Sequence, residues 1–203
     1  MNKYLERDLK FKLLYFGEEP LKQDDLNTIT EFSLNNYTLS DKPKEIDLLE
    51  LSSLVNICNL TLQHFYIGED QLKMLSCFQN LEILQMASCI IDSNNTYTLP
   101  SLRDLIISTS DVKNKLGIAL PEHVTINGIN TKFDLSSLEG LDKTIDLRLT
   151  NIKQIHNSSL LVNTPTLKTL MLDGSKIDDK SVIDAIKDRG VLISQEEHFY
   201  NIR

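Results

Sequence analysis

The chain has 203 residues and a formal net charge of −8, with 41% hydrophobic and 25% charged residues. This composition is typical of a soluble globular protein with a substantial core, and it argues against long linkers or disordered tails. The sequence has no clusters of Lys and Arg, on which nucleic-acid binding depends, so we predict no nucleic-acid partner.

The negative charge is concentrated in the amino-terminal half of the chain. Residues 1–100 contain 15 Asp and Glu against 8 Lys and Arg, whereas residues 101–203 contain 14 against 13. An acidic surface favours a basic protein as the partner, because opposite charges accelerate encounter. The alternative is that the acidic excess only keeps the protein soluble.

The amino-terminal segment has none of the features of an export signal. Residues 1–10 carry a charge every few positions. No run of about 18 uncharged apolar residues, the length of a membrane span, occurs anywhere in the sequence. We therefore predict a cytoplasmic protein that does not enter a membrane.

Short segments with apolar residues at alternate positions recur along the chain and predict β-strands. Successive segments begin 19 to 28 residues apart. A weaker ninth strand is predicted near residues 191–193. The inward pairs of the eight main strands are Phe11/Leu13, Phe32/Leu34, Leu60/Leu62, Leu84/Met86, Leu105/Ile107, Val124/Ile126, Ile145/Leu147 and Leu170/Leu172.

The segments between the strands predict helices and turns. Residues 45–54, 69–78 and 178–190 have apolar residues at helical spacing, and the third segment also begins with carboxylates and ends on Gly190. Between residues 112 and 145 the repeats shorten, and Gly and Pro residues there predict turns or single 3₁₀ turns.

Three segments match one another position by position: Leu81-x-x-Leu84-x-Met86-x-x-Cys89-x-Ile91, Leu102-x-x-Leu105-x-Ile107-x-x-Ser110-x-Val112 and Leu167-x-x-Leu170-x-Leu172-x-x-Ser175-x-Ile177. The pattern resembles that of the leucine-rich repeat family, and residues 133–152 resemble the short repeats of bacterial internalins. The resemblance implies an α/β fold: a right-handed solenoid of about eight repeats, with a parallel sheet on the concave face and short helices or 3₁₀ turns on the convex face.

We predict a single leucine-rich repeat domain over residues 1–203. An amino-terminal cap and the first repeat occupy about residues 1–28, and a capping helix and strand occupy about residues 178–203. The sequence departs from the family at the ninth repeat position, where a ladder-forming Asn is replaced. We expect apolar packing there instead, and a less regular curvature. The residues at this position are Phe16, Tyr37, Phe65, Cys89, Ser110, Ile129, Thr150 and Ser175.

Signatures of catalysis and of metal binding are absent from the sequence. Cys58, Cys77 and Cys89 lack metal-ligand spacing and are expected to be buried free thiols. The histidines are scattered, and Glu196-Glu197-His198 is interpreted as a solvated tail. We therefore predict no enzymatic activity, no cofactor and no metal site.

Side chains between the inward residues of each strand face the concavity, because successive strand residues alternate faces. We predict that a protein partner binds there. Ile83 and Ile106 mark a central patch expected to be mostly apolar and uncharged, with charge toward the edges, as in specific interfaces. The alternative is that both isoleucines only reflect β-propensity. The candidate contact residues are Asn59, Thr61, Gln63, His64, Ile83, Gln85, Asp104, Ile106, Ser108, Asp146 and Arg148.

These observations favour a non-catalytic protein-binding module. Our first hypothesis is a small inhibitor or immunity-type protein that neutralises a basic toxin or enzyme, because acidic charge steers such an encounter. The second is a virulence effector or adaptor that binds a host protein through its repeats. The third is a hydrolase or ligase, which a reactive thiol of low pKa would favour.

Overall fold

A computed structural model of the protein describes residues 3–13, 19–36, 44–45, 48–128 and 132–195. The helices are α1 (Lys3–Lys12), α2 (Gln23–Leu26), α3 (Glu69–Leu75) and α4 (Ser181–Asp188). Shorter 3₁₀ helices are η1 (Leu48–Ser53), η2 (Leu135–Ser137), η3 (Leu141–Lys143) and η4 (Ser158–Asn163). The strands are β1 (Glu31–Asn35), β2 (Lys44–Glu45), β3 (Asn59–Gln63), β4 (Phe65–Ile67), β5 (Ile83–Ala87), β6 (Ile90–Ile91), β7 (Asp104–Ser108), β8 (Asp111–Val112), β9 (His123–Asn127), β10 (Lys132–Asp134), β11 (Asp146–Thr150), β12 (Gln154–His156), β13 (Thr169–Met171) and β14 (Leu192–Ser194).

Eight strands form one parallel sheet in the order β1-β3-β5-β7-β9-β11-β13-β14. Each strand pairs in register with the equivalent strand of the next repeat, so the inward residues stack in rows. This arrangement confirms the predicted parallel sheet. One row consists of Phe32, Leu60, Leu84, Leu105, Val124, Leu147, Leu170 and Ile193.

Alternation along the strands produces the core. In β3, β5, β7 and β9 the second and fourth residues are buried and the other three are half-buried. These are the inward pairs expected from the sequence, because a strand with one covered face buries every second side chain. The three other positions of each strand form the concave face.

The chain turns sharply after β3, β5, β7, β9, β11 and β13, in each case at a residue in the left-handed region. Positive φ values are uncommon outside glycine, so this repeated position is a feature of the fold. Two small parallel sheets follow the turns, β2-β4-β6-β8 and β10-β12. Neither small sheet was predicted from the sequence. The turn residues are His64 (φ 62), Ser88 (φ 52), Thr109 (φ 48), Gly128 (φ 69), Asn151 (φ 55) and Gly174 (φ 67).

The strand predicted at Phe11 and Leu13 is wrong, because these residues lie at the end of helix α1 and just after it. Leu9 is completely buried, whereas Phe11 is 77% exposed. Leu9 and Leu13 are one helical turn apart and both pack on the core, which explains the helix. The eight-stranded sheet begins one repeat later and ends at β14, which corresponds to the weaker strand predicted near residues 191–193.

The register predicted for the seventh repeat is also wrong, by two residues. Leu147 and Leu149, rather than Ile145 and Leu147, pair with the inward residues of β9 and are buried. Thr144, which the predicted register would place on the concave face, is buried and donates a hydrogen bond to the Pro121 carbonyl (3.2 Å). A shift of two preserves the alternation, so Asp146 and Arg148 stay on the concave face.

The predicted helices at residues 69–78 and 178–190 correspond to α3 and α4, which are shorter. The helix predicted at residues 45–54 is instead the 3₁₀ helix η1, preceded by β2. Leu48, Leu51 and Leu54 are buried at three-residue spacing, the period of a 3₁₀ helix. Ile46, the first apolar residue of that predicted helix, lies outside the described residues.

The ninth repeat position is filled partly by apolar and partly by polar side chains. Phe65, Cys89 and, after the register correction, Ile152 are buried there in place of the family Asn. The hydroxyls of Ser110 and Ser175 accept backbone N–H bonds from Cys89 (3.0 Å) and Ile152 (2.9 Å). In these two repeats a polar side chain therefore still binds the backbone at this position, whereas apolar packing was expected. Phe16, Tyr37 and Ile129 lie outside the described residues.

The prediction that all three cysteines are buried holds only for Cys89. Cys58 is half-buried and Cys77 is exposed. Cys77 lies beyond the end of α3, after the buried face of that helix has ended at Leu75. Burial raises the pKa of the Cys89 thiol, because the thiolate would be poorly solvated.

Glu69 connects α3 to the segment that follows β6. Its Oε1 accepts the backbone N–H groups of Asn94 (2.6 Å) and Asn95 (3.2 Å), and its Oε2 accepts the Tyr97 hydroxyl (2.8 Å). The Asn94 N–H and the Tyr97 hydroxyl lower the pKa of Glu69 to about 2. The charged form is therefore the one that holds the segment in place.

Glu69→Gln should lower the melting temperature near neutral pH. Because the folded pKa of Glu69 is below its ordinary value of 4.5, its contribution is present above about pH 4.5 and is lost as the pH falls toward 2. Thermal melts from neutral to acidic pH should therefore show the melting temperatures of the wild type and the Glu69→Gln variant converging. Asp70→Asn is the matched control in the same helical turn, and its difference from wild type should change much less with pH. Parallel pH profiles for wild type and Glu69→Gln would contradict the assignment.

Candidate interface on the concave face

The predicted contact residues lie on four strands of the large sheet, with one exception. Gln63 is engaged within the sheet, since its Oε1 accepts a hydrogen bond from Asn35 (2.6 Å). The exception is His64, which follows β3 and lies in the left-handed turn. Its backbone N–H donates to the Ala87 carbonyl (3.0 Å). The residues within strands are Asn59, Thr61 and Gln63 on β3, Ile83 and Gln85 on β5, Asp104, Ile106 and Ser108 on β7, and Asp146 and Arg148 on β11.

A depression of about 510 Å³ lies in the middle of this face, across β5, β7, β9 and β11. We call it the central depression. It brings together five of the predicted residues: Ile83, Asp104, Ile106, Asp146 and Arg148. The other six predicted residues do not line it. They are Asn59, Thr61, Gln63, His64, Gln85 and Ser108.

The central depression carries more charge than the mostly apolar, uncharged patch predicted from the sequence. Its lining includes Glu82, Arg103, Asp104, Asp146 and Arg148 beside the two isoleucines. The physical reason is the position of the sheet along the chain. Because the array begins at β1 and ends at β14, its midpoint lies between β7 and β9 and includes residues of the carboxyl-terminal half.

His123, which was not among the predicted contacts, is fixed beside Asp146. The Nδ1 atom of His123 lies 2.7 Å from Oδ2 of Asp146, and the Thr169 hydroxyl donates to the other carboxylate oxygen. The Thr169 hydroxyl, with a smaller contribution from His123, lowers the pKa of Asp146. Both oxygens of this carboxylate are therefore occupied within the sheet. His123 directly precedes the predicted inward residue Val124. Strand alternation therefore places His123 on the concave face from the sequence alone.

Four other charged side chains line the depression. Within the described residues, the side chains of Glu82, Arg103, Asp104 and Arg148 have no hydrogen-bond or salt-bridge partner. Asp104 is half-buried, whereas the other three are exposed. Such groups are hydrated in the free protein and available to a ligand.

The described residues contain no group of three or more His, Cys, Asp or Glu side chains placed to hold a metal ion. In the same part of the chain, every helix is too short or too polar to span a bilayer. Glu196, Glu197 and His198 lie outside the described residues.

No protein-family model matches the chain, and no curated protein matches it. Among solved structures, it is similar to internalin C2 of Listeria monocytogenes, with 19% sequence identity, a TM-score of 0.56, and coverage of 96% of this chain and 93% of that one. Internalin InlP of the same organism is 15% identical, with a TM-score of 0.48 and coverage of 96% and 68%. Internalin InlF is 17% identical, with a TM-score of 0.36 and coverage of 96% and 75%.

The likeness to internalin C2 agrees with the in-register parallel sheet and with the inward rows of Leu, Ile and Val. At this level of identity the comparison concerns the fold. The chain therefore has a leucine-rich repeat fold, an α/β solenoid similar to that of internalin C2.

Proposed function

We propose that this chain is a non-catalytic protein-binding module whose partner contacts the concave face. Eight strands spaced about 4.8 Å apart make a face about 34 Å wide, which suits a protein better than a small molecule. The concave positions of β3, β5, β7 and β9 carry half-buried side chains. The proposed partner is another protein, with a basic surface as the favoured type.

The observation that carries the proposal is the central depression. Ile83 on β5 and Ile106 on β7 are diagonal neighbours on adjacent strands and both line it. Aliphatic side chains in a concavity bordered by charged groups resemble the core and rim of a specific interface. A partner side chain that covered both isoleucines would bury apolar surface inside the central depression.

Two narrower roles fit this module. We favour a small inhibitor or immunity-type protein, supported by the acidic excess of 15 Asp and Glu against 8 Lys and Arg in residues 1–100, which would accelerate encounter with a basic enzyme or toxin. The second role is that of an effector or adaptor that binds a host protein. Identifying the partner by affinity capture from the source organism and mass spectrometry separates the two.

Ile106→Asp should weaken partner binding by about 2 kcal/mol or more, because the partner would desolvate the new carboxylate. This corresponds to a loss of roughly 30-fold in affinity. Surface plasmon resonance with the captured partner measures it. The matched control is Val55→Asp, which places the same charge at an exposed valine between η1 and β3 and should leave affinity unchanged.

Ile83→Asp should behave like Ile106→Asp. If both isoleucine variants retained wild-type affinity and wild-type melting temperature, the partner would have to bind elsewhere, and the proposal for the concave face would be wrong.

A further inference from the structure

We infer that the central depression receives one arginine side chain of the protein partner. The methylene stem of this arginine packs on Ile83 and Ile106, and its guanidinium group pairs with the carboxylate of Asp104. The inference rests on the proposed function and names the chemical group that the partner inserts at that site.

Ile83, Asp104 and Ile106 form one compact group on the concave face. Ile83 on β5 and Asp104 on β7 are in-register neighbours, about 4.8 Å apart at the usual strand spacing. Ile106 lies two residues after Asp104 on the same strand, so its side chain projects from the same face. All three residues are half-buried and line the central depression. A single side chain that enters the depression therefore contacts the carboxylate and both isoleucines together.

The carboxylate of Asp104 has no hydrogen-bond or ion-pair partner inside the described part of the chain. His123, its in-register neighbour on β9, directs its Nδ1 atom to Asp146 instead (2.7 Å). A partner that covers the two isoleucines also removes water from Asp104. An unpaired buried charge is strongly unfavourable, and an ionised carboxylate only accepts hydrogen bonds, so the partner must supply N–H donors there.

The charge balance of the depression also favours a cation. Its lining contains three carboxylates and two guanidinium groups. Glu82 and Arg103 directly precede the paired residues of β5 and β7, and the Arg103 N–H donates to the Glu82 carbonyl (2.9 Å), so these opposite charges start from adjacent positions. Arg148 and Asp146 lie two residues apart on one face of β11 and interact electrostatically. Asp104 is the carboxylate of this lining that remains without an opposite charge beside it.

The shape of the group favours arginine over lysine. The methylene stem of an arginine covers apolar surface while its charged end reaches a polar group, as required by two isoleucines beside one carboxylate. A guanidinium group donates two parallel N–H bonds to the two oxygens of a carboxylate, and it is more weakly hydrated than an ammonium group. Lysine would bring a compact and strongly hydrated charge that does not match both oxygens.

Selection of phage-displayed random 12-residue peptides on the immobilised full chain tests the inference. We expect the enriched peptides to share an arginine and to lose affinity for the Ile106→Ala variant. In a synthetic peptide of this kind, citrulline in place of the arginine keeps the shape and removes the charge. This replacement should weaken binding about tenfold or more in fluorescence anisotropy, because a charged hydrogen bond is lost. Lysine in its place should bind more weakly than arginine and more tightly than citrulline.

The Asp104→Asn variant should also bind the arginine peptide about tenfold or more weakly. Its affinity for the citrulline peptide should match that of the wild type, because the direct pair is already absent and the two changes are therefore not additive. Glu31→Gln is the matched control. It removes one negative charge at the equivalent position of β1, outside the depression, and should leave the affinity unchanged at physiological salt. Melting temperatures verify that each variant is folded.

The possible failures are distinguishable. If the enriched peptides depend on Ile106 but tolerate Asp104→Asn, or accept lysine or citrulline as well as arginine, the inference is overturned while the concave binding site stands. Selection that enriches no arginine peptide also overturns it. If the peptides bind Ile106→Ala and Asp104→Asn as well as wild type, the concave site and the inference both fail. Concentration-dependent dimerisation in analytical ultracentrifugation that Asp104→Asn abolishes would place a second copy of this chain in the depression and overturn the assignment to a different protein.

Discussion

Gly117→Ala is expected to destabilise the protein by about 2–4 kcal/mol, the largest effect we predict for a single added methyl group. Gly117 has φ 77, a conformation that an L side chain adopts only with strain. An added Cβ would overlap Leu72 Cδ1 and lie 2.8 Å from Ser93 Cβ. Leu72 and Ser93 are both fully buried, so neither can move without disturbing the packing between repeats.

Gly190→Ala provides the matched control for this substitution. Gly190 has a similar φ of 81, but no atom lies within 4 Å of an added Cβ. Only the conformational strain remains, so a loss of about 1 kcal/mol is expected. Urea denaturation of both variants measures the difference. Equal losses of unfolding free energy in the two variants would show that the repeats around Gly117 are less tightly packed than the structure indicates.

Leu149→Ala should cost about 2–5 kcal/mol of unfolding free energy, because a fully buried strand residue leaves a cavity when it is shortened. This result follows from the register of β11, in which Leu147 and Leu149 point into the core. The substitution also leaves the concave side chains Asp146 and Arg148 in place.

Ile145→Ala is the control that separates the two registers. Ile145 is only half-buried and precedes β11, so its truncation should cost clearly less than that of Leu149. The unfolding free energies of both variants are obtained from denaturant titrations. A larger loss at Ile145 than at Leu149 would restore the register predicted from the sequence.

Much of the array could be predicted from local patterns alone. The alternation of apolar residues from Phe32 to Leu172 identifies the strands, because a strand covered on one face buries every second side chain. Helices α3 and α4 could be predicted for a similar reason, since their apolar residues follow helical spacing. The parallel sheet then followed from the resemblance between repeats.

The site could be predicted in part. The face of a strand residue depends only on alternation, so Ile83, Asp104, Ile106, Asp146 and Arg148 were placed on the correct face even where the register was wrong. Which of these residues lie together depends on the order and stacking of the strands. The bonds from His123 and Thr169 to Asp146 join residues more than 20 positions apart, and no local pattern specifies them.

The sequence by itself determined the alternation of the strands, the period of the repeats and the acidic first half, because these properties belong to neighbouring residues. Only the tertiary structure decided that residues 3–12 form a helix, that β11 is shifted by two residues, and that the central depression contains charged groups. In β11, a two-residue shift leaves every side chain on the same face. In the first segment, Phe11 and Leu13 have the spacing of a strand, whereas Leu9 and Leu13 have the spacing of a helix. Such local patterns are equally compatible with two arrangements, and contacts with distant repeats select one of them.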